Sequence, residues 1–138
     1  MFDRVFGLKP YNPAPDKEKF EDEVHRLAMV MGLHMWTIKI EWSPDLDDSW
    51  AVAWPTEDTK SGRLEFEDGL LKEPWATQQT VILHELLHFV HKDMTESLNT
   101  SITGLDIPDG QKRLLWESFR HREERFVDHM SRVLQPLI

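Results

Sequence analysis

Residues 84–88 read His-Glu-Leu-Leu-His. On a helix, two histidines four residues apart leave the axis about 40° apart. Both imidazoles of His84 and His88 then issue from one face and can grip one ion. Glu85 lies about 100° round from His84, at the flank, where it reaches a water on the metal rather than the metal itself. Zinc lowers the pKa of such a water towards neutrality, and a neighbouring carboxylate takes the proton. This is the arrangement a metalloprotease needs. Ile82, Leu83, Leu86, Leu87, Phe89 and Val90 surround the two histidines, so this helix is expected to be buried. Polar groups inside a buried helix need partners.

A catalytic zinc takes three protein ligands and keeps one position for water. The third is expected from the last helix, and helical phase selects it. With Phe126 set at zero and steps of about 100°, Phe119, Met130, Val133, Leu137, Leu115, Trp116 and Leu134 fall between about −20° and +80°. Glu123 falls at about +60°, inside that apolar stripe, whereas Glu124 falls at about +160° and Asp128 and Glu117 also point away. A carboxylate on an apolar face is costly unless paired or metal-bound. Glu123 is therefore the expected third ligand, with Glu124 as the fallback. His91 shares the face of His84. A straight helix cannot wrap ligands at three such positions around one ion, because the outer two lie about 10 Å apart. His91 is read as a satisfied polar residue or a support to the site. His129 and Arg122, beside the stripe, are candidates to steady a developing oxyanion. His121 reads as exposed, and His25 and His34 as structural.

The elements that must position these groups follow from patterning. Three prolines and a glycine in GLKPYNPAPD make residues 1–16 an extended opening segment. Asp16 is a plausible N-cap for a helix from about Lys17 to Met31, buried through Phe20, Val24, Leu27, Ala28 and Met31 and ended by Gly32. Alternation predicts strands over Met35–Trp42, Trp50–Trp54 and Arg63–Glu67. The three charges of the last strand read as edge protection. Trp36, Trp42, Trp50 and Trp54 read as core. Asp68-Gly69 marks a turn. A second helix is expected from Pro74 to about Lys92, a loop over 93–110, and a last helix over Gln111–Leu134. The order describes an α+β fold with a small, mostly antiparallel sheet, one domain over residues 1–138.

Composition bounds the rest. The 138 residues contain no cysteine, which excludes disulfide scaffolds, thiolate metal sites and cysteine nucleophiles. Any metal must use His, Asp or Glu. Sixteen basic residues against 25 acidic give a net charge of −9 with histidine neutral. That balance argues against nucleic-acid binding, which needs a positive footprint. No apolar run approaches a membrane span, and the start lacks the apolar centre of a secretory signal, so a cytoplasmic location is expected.

With HELLH on a buried helix and a glutamate in a later one, the chain resembles small zincin metallopeptidases, above all the minigluzincins and the ImmA/IrrE-like group, which often come from phages and mobile elements. The likeness is carried by His84, Glu85, His88 and the stretch EERFVDHMSRVLQP from Glu123 to Pro136. In that stretch Arg125 and Phe126 follow the glutamates, where the family has a small residue. The resemblance implies a zinc ion held by two His and one Glu, and a peptide or protein substrate. The rival reading is a non-enzymatic, zinc-stabilised acidic interaction module, in which His91 or His129 would close the site as a fourth ligand. A third is latency, with the opening segment or the 93–110 loop covering the cleft. For the peptidase, the Arg63–Glu67 strand is expected to pair with an extended substrate, its acidity favouring a basic segment.

Overall fold

The computed structural model describes residues 13–56 and 58–138, and the expected opening segment lies largely outside them, as does any role for it in latency. Helix α1 spans Pro13–Val30, followed by strands β1 (Thr37–Ser43), β2 (Ala51–Thr56) and β3 (Ser61–Glu67). A 3-10 turn over Asp68–Lys72 leads into helix α2 (Trp75–Thr103), then α3 (Asp109–Leu134) and a last 3-10 turn, Gln135–Leu137. This is an α+β architecture of three helices and a three-stranded mixed sheet.

The first helix follows its stripe: Phe20, Val24 and Leu27 are fully buried and Ala28 nearly so. It begins four residues earlier than expected, at Pro13, because proline is tolerated in a first helical turn. It ends as expected at Gly32, which takes φ +77°, with the Leu33 amide donating to the Ala28 carbonyl at 2.8 Å. That left-handed glycine and back-bond turn the chain sharply into the sheet.

The strand order is β1-β3-β2, with β1 parallel and β2 antiparallel to β3. The strand expected at an edge is therefore the centre of the sheet. Its charges mark a solvent face rather than an edge: Arg63 bonds Glu41 at 3.1 Å, while Leu64 and Phe66 are fully buried on the other face. Both of its edges are occupied, so it has none to offer a substrate, and the basis for a basic substrate segment falls with it. Among the described residues the outer edges of β1 and β2 have no strand partner. Ala51 and Ala53 pack towards the core, whereas Trp50 and Trp54 are 38% and 41% exposed, which corrects their reading as core. Trp54 instead holds the Arg63 guanidinium over its ring at 3.9 Å.

Helix α2 packs on the inner face of the sheet through Ile82, Leu83, Leu86 and Phe89, all 1% exposed or less. It runs on to Thr103, through most of the segment expected as a loop. Ser, Thr and Asn depress helix propensity there, but no Gly or Pro interrupts the run before Gly104, and tertiary packing prevails. Thr95 and Ile102 are buried, and the Thr103 hydroxyl donates to the Asn99 carbonyl at 2.8 Å. Among the described residues no helix is long and apolar enough to cross a membrane.

Gly62 of β3 is what lets α2 approach. A Cβ there would lie 2.6 Å from the Phe89 ring and 2.8 Å from the Trp54 carbonyl oxygen. Gly62→Ala is expected to cost about 1–3 kcal/mol, the usual range for overpacking, and to lower metal affinity by shifting the helix that carries His84 and His88. Thermal melts with and without zinc check this: an unchanged melting temperature contradicts the packing account.

Candidate metal centre

Helix α3 lies antiparallel to α2, as the order of contacts along the two helices requires. His84 meets Asp128 and Glu124, His88 meets Glu124, and Thr95 meets Glu123. The buried residues of α3 are Glu123, Val127 and Ser131. Those four-residue steps define the face that packs on α2, with Trp116, Arg120, Glu124 and Asp128 partly buried beside them. Its centre is about 70° round from the apolar stripe expected from sequence. Phe126, Leu115 and Val133, which anchored that stripe, are 48%, 46% and 44% exposed.

The rotation decides which glutamate meets the histidines. Glu124 Oε1 lies 3.2 Å from His84 Nε2, and Glu124 Oε2 lies 2.9 Å from His88 Nε2. The ligand-type atoms of His84, His88 and Glu124 all fall within 4.8 Å of one another and form a group able to hold a metal ion. Glu123, the residue selected by phase, is elsewhere: it accepts from Arg120 at 2.7 Å and from the Thr95 hydroxyl at 2.9 Å. Its carboxylate was rightly expected to need a partner on a packed face, but the partner is a guanidinium and a hydroxyl. Asp128, expected to point away, has Oδ1 3.9 Å from His84 Nδ1 and is itself bonded by Arg132 at 2.9 Å. At 3.9 Å the pair makes no hydrogen bond, and Asp128 acts on His84 through its charge alone. Its four-residue spacing from Glu124 was the available signal; the misplaced stripe hid it.

The remaining histidines stay outside the group. His91 packs on the Phe126 ring, 5.4 Å between centroids, with Nδ1 3.9 Å from Glu123 Oε2 and without a hydrogen bond. His25, His34, His121 and His129 are exposed, and neither His129 nor Arg122 lines the cleft. Glu85 is 8% exposed, with Oε2 4.0 Å from His84 Nε2.

The cleft has a volume of about 730 Å³. One wall is β2 with Ser49 and Trp50 just before it, and the facing wall carries His84, Glu85, His88 and Glu124. Two imidazole nitrogens and a carboxylate oxygen are donors that zinc takes, which the group therefore fits. No protein-family model, curated protein or solved structure matches the chain.

Electrostatics couple the three donors. Hydrogen bonds from His84 and His88 hold the Glu124 carboxyl far below its ordinary range, against the opposing effect of burial. Burial disfavours protonated His84, but the Glu124 bond and the charges of Glu85, Glu124 and Asp128 outweigh it and raise its pKa. Burial raises the pKa of Glu85, and the two histidines offset only part of that rise.

These shifts set the pH behaviour of the metal-free protein. The depressed Glu124 contributes stability above the ordinary carboxylate value of 4.5, lost as pH falls through its folded value. The raised His84 contributes stability below 6.5, lost as pH rises through its own folded value. Both contributions coincide between those ordinary values. The metal-free protein is expected to gain most of its cluster stabilisation in that window, and Glu124→Gln to remove the gain. Melts from pH 4 to 9 check this; identical pH profiles of the two proteins contradict it. Zinc binding to the wild type should displace protons, so affinity should rise with pH across the same window.

Proposed function

We propose that this chain is a zinc-dependent metalloendopeptidase. The observation that carries the reading is the His84–His88–Glu124 group with a buried carboxylate, Glu85, beside it. Bound there, zinc supplies a Lewis acid and brings the pKa of a water near neutrality.

The chain's own residues do the rest. His84 and His88 present Nε2 from one face of α2, and Glu124 answers from α3. Asp128 places its charge 3.9 Å from Nδ1 on the far side of the His84 ring. Glu85, its pKa raised by burial, holds a proton more readily than a solvated carboxylate does. That suits a group that takes a proton from water and passes it to a departing amine nitrogen. The outer edge of β2, unpaired among the described residues, lines the cleft and offers backbone donors and acceptors to an extended peptide. Pro55 has no amide hydrogen, so the usable stretch is Ala51–Trp54.

The rival reading, a metal-stabilised interaction module, calls for a closed site with four protein ligands. Among the described residues the group has three, and His91 lies against Glu123 instead. This favours the catalytic reading, since a fourth position stays available to water.

The test separates binding from turnover. Glu85→Gln is expected to retain one zinc per chain and to lower peptide cleavage about 10²–10⁴-fold, the usual contribution of a general base. His88→Ala and Glu124→Ala are expected to lose the metal. Cleavage unchanged in Glu85→Gln would overturn its role, and a wild type that takes up no zinc would overturn the reading altogether.

A further inference from the structure

The cleft continues beyond the metal group, and its charge changes along the way. On α2, Lys92 lies four residues past His88, and on α3, Arg120 lies four residues before Glu124. Each step is about 6 Å along its helix, and because the helices are antiparallel both steps run in the same direction. Lys92 and Arg120 both line the cleft, together with Thr95 and Glu123. The acid Asp128 lies on the opposite side of the group, four residues past Glu124.

Arg120 is held in place from beneath. The Glu123 side chain is 2% exposed and accepts from Arg120 Nη1 at 2.7 Å, and its other oxygen takes the Thr95 hydroxyl. Trp116 lies under the guanidinium, 5.9 Å from ring centroid to Cζ. A guanidinium has five N–H donors, so this bond leaves most of them for other partners. The side chain is 42% exposed. Lys92 is paired only loosely with the exposed Glu96, at 3.5 Å, an interaction a ligand can replace at little cost. A buried carboxylate that fixes an arginine at the wall of a cleft pre-organises that arginine for an anion.

We propose that Arg120 and Lys92 form a subsite for a carboxylate of the substrate, displaced about 6 Å along the cleft from the His84–His88–Glu124 group. This rests on the peptidase reading. The distance corresponds to about two residues of an extended chain. The carboxylate is either an acidic side chain near the scissile bond or a free C-terminus, and the test distinguishes them.

The zinc-loaded full-length protein is first offered a mixed peptide library, to find one cleaved sequence. Paired peptides then carry Glu or Gln at each of two positions on either side of the cleaved bond, and a C-terminal acid or amide. The readout is the ratio of kcat/KM within each pair, which does not depend on the folded fraction. A second readout is equilibrium binding of the same pairs to zinc-loaded Glu85→Gln. The acid member should win about tenfold at one position, the size of one charge-assisted hydrogen bond. Lys92→Gln should reduce that ratio, and Arg120→Gln combined with Glu123→Gln should bring it near one. The double substitution avoids leaving a buried charge unpaired. A preference at an internal position assigns a side chain, and one confined to the C-terminal pair assigns the chain end. Cleavage with no acid preference, or with a preference unchanged in both variants, overturns the subsite and leaves the peptidase standing. If nothing is cleaved, the peptidase reading falls. Binding of the library peptides to Glu85→Gln then decides the subsite alone, and equal binding of acid and amide members overturns it.

Discussion

The carboxylate of Glu124 between two imidazoles of the neighbouring helix is the interaction on which the site depends. It ties α2 to α3 at the point where chemistry would occur. One face of α2 is fixed against the sheet by Ile82, Leu86 and Phe89, so the adjoining face has no freedom to present His84 and His88 anywhere but towards α3. Antiparallel pairing then sets the register of every polar contact along the seam, from His84 with Asp128 to Thr95 with Glu123.

That seam is unusual in composition. Helix α3 packs on α2 largely through charged and polar residues, with only Val127 and Ser131 buried beside Glu123, while Leu114, Leu115, Phe126 and Val133 stay exposed. Polar groups taken from water stabilise a packed face only when satisfied, and here most are. Glu123 has two partners and Glu124 has two. His91 Nδ1 is the exception. An interface of this kind contributes less stability than an apolar one of the same size would.

Much of this was legible in the residues. The spacing of His84 and His88 predicts their shared face, the α1 stripe predicts its buried residues, and alternation locates all three strands. What was not legible has common causes. Charges on β3 read as an edge, because a single strand cannot reveal that its charges pair across a sheet face, as Arg63 does with Glu41. The stretch after Lys92 reads as a loop because its periodicity is weak and Gly104, Pro108 and Gly110 fall within it, whereas the burial of Thr95 and Ile102 carries the helix on to Thr103. The structure groups Glu124 rather than Glu123 with the histidines, because the inward face of α3 is not the one defined by its largest apolar side chains. Where the inward face is built around a polar site, phase anchored on Phe126 points the wrong way. The four-residue series Arg120, Glu124, Asp128, each member able to pair with another charge, was the better guide.

The most direct test of the account is an anomalous diffraction map from crystals of the zinc-loaded protein. The account predicts one strong peak per chain, about 2.0–2.2 Å from Nε2 of His84, Nε2 of His88 and one Glu124 oxygen, with Glu123 still bonded to Arg120 and Thr95. A peak coordinated by Glu123, or one closed by a fourth protein side chain, would contradict it.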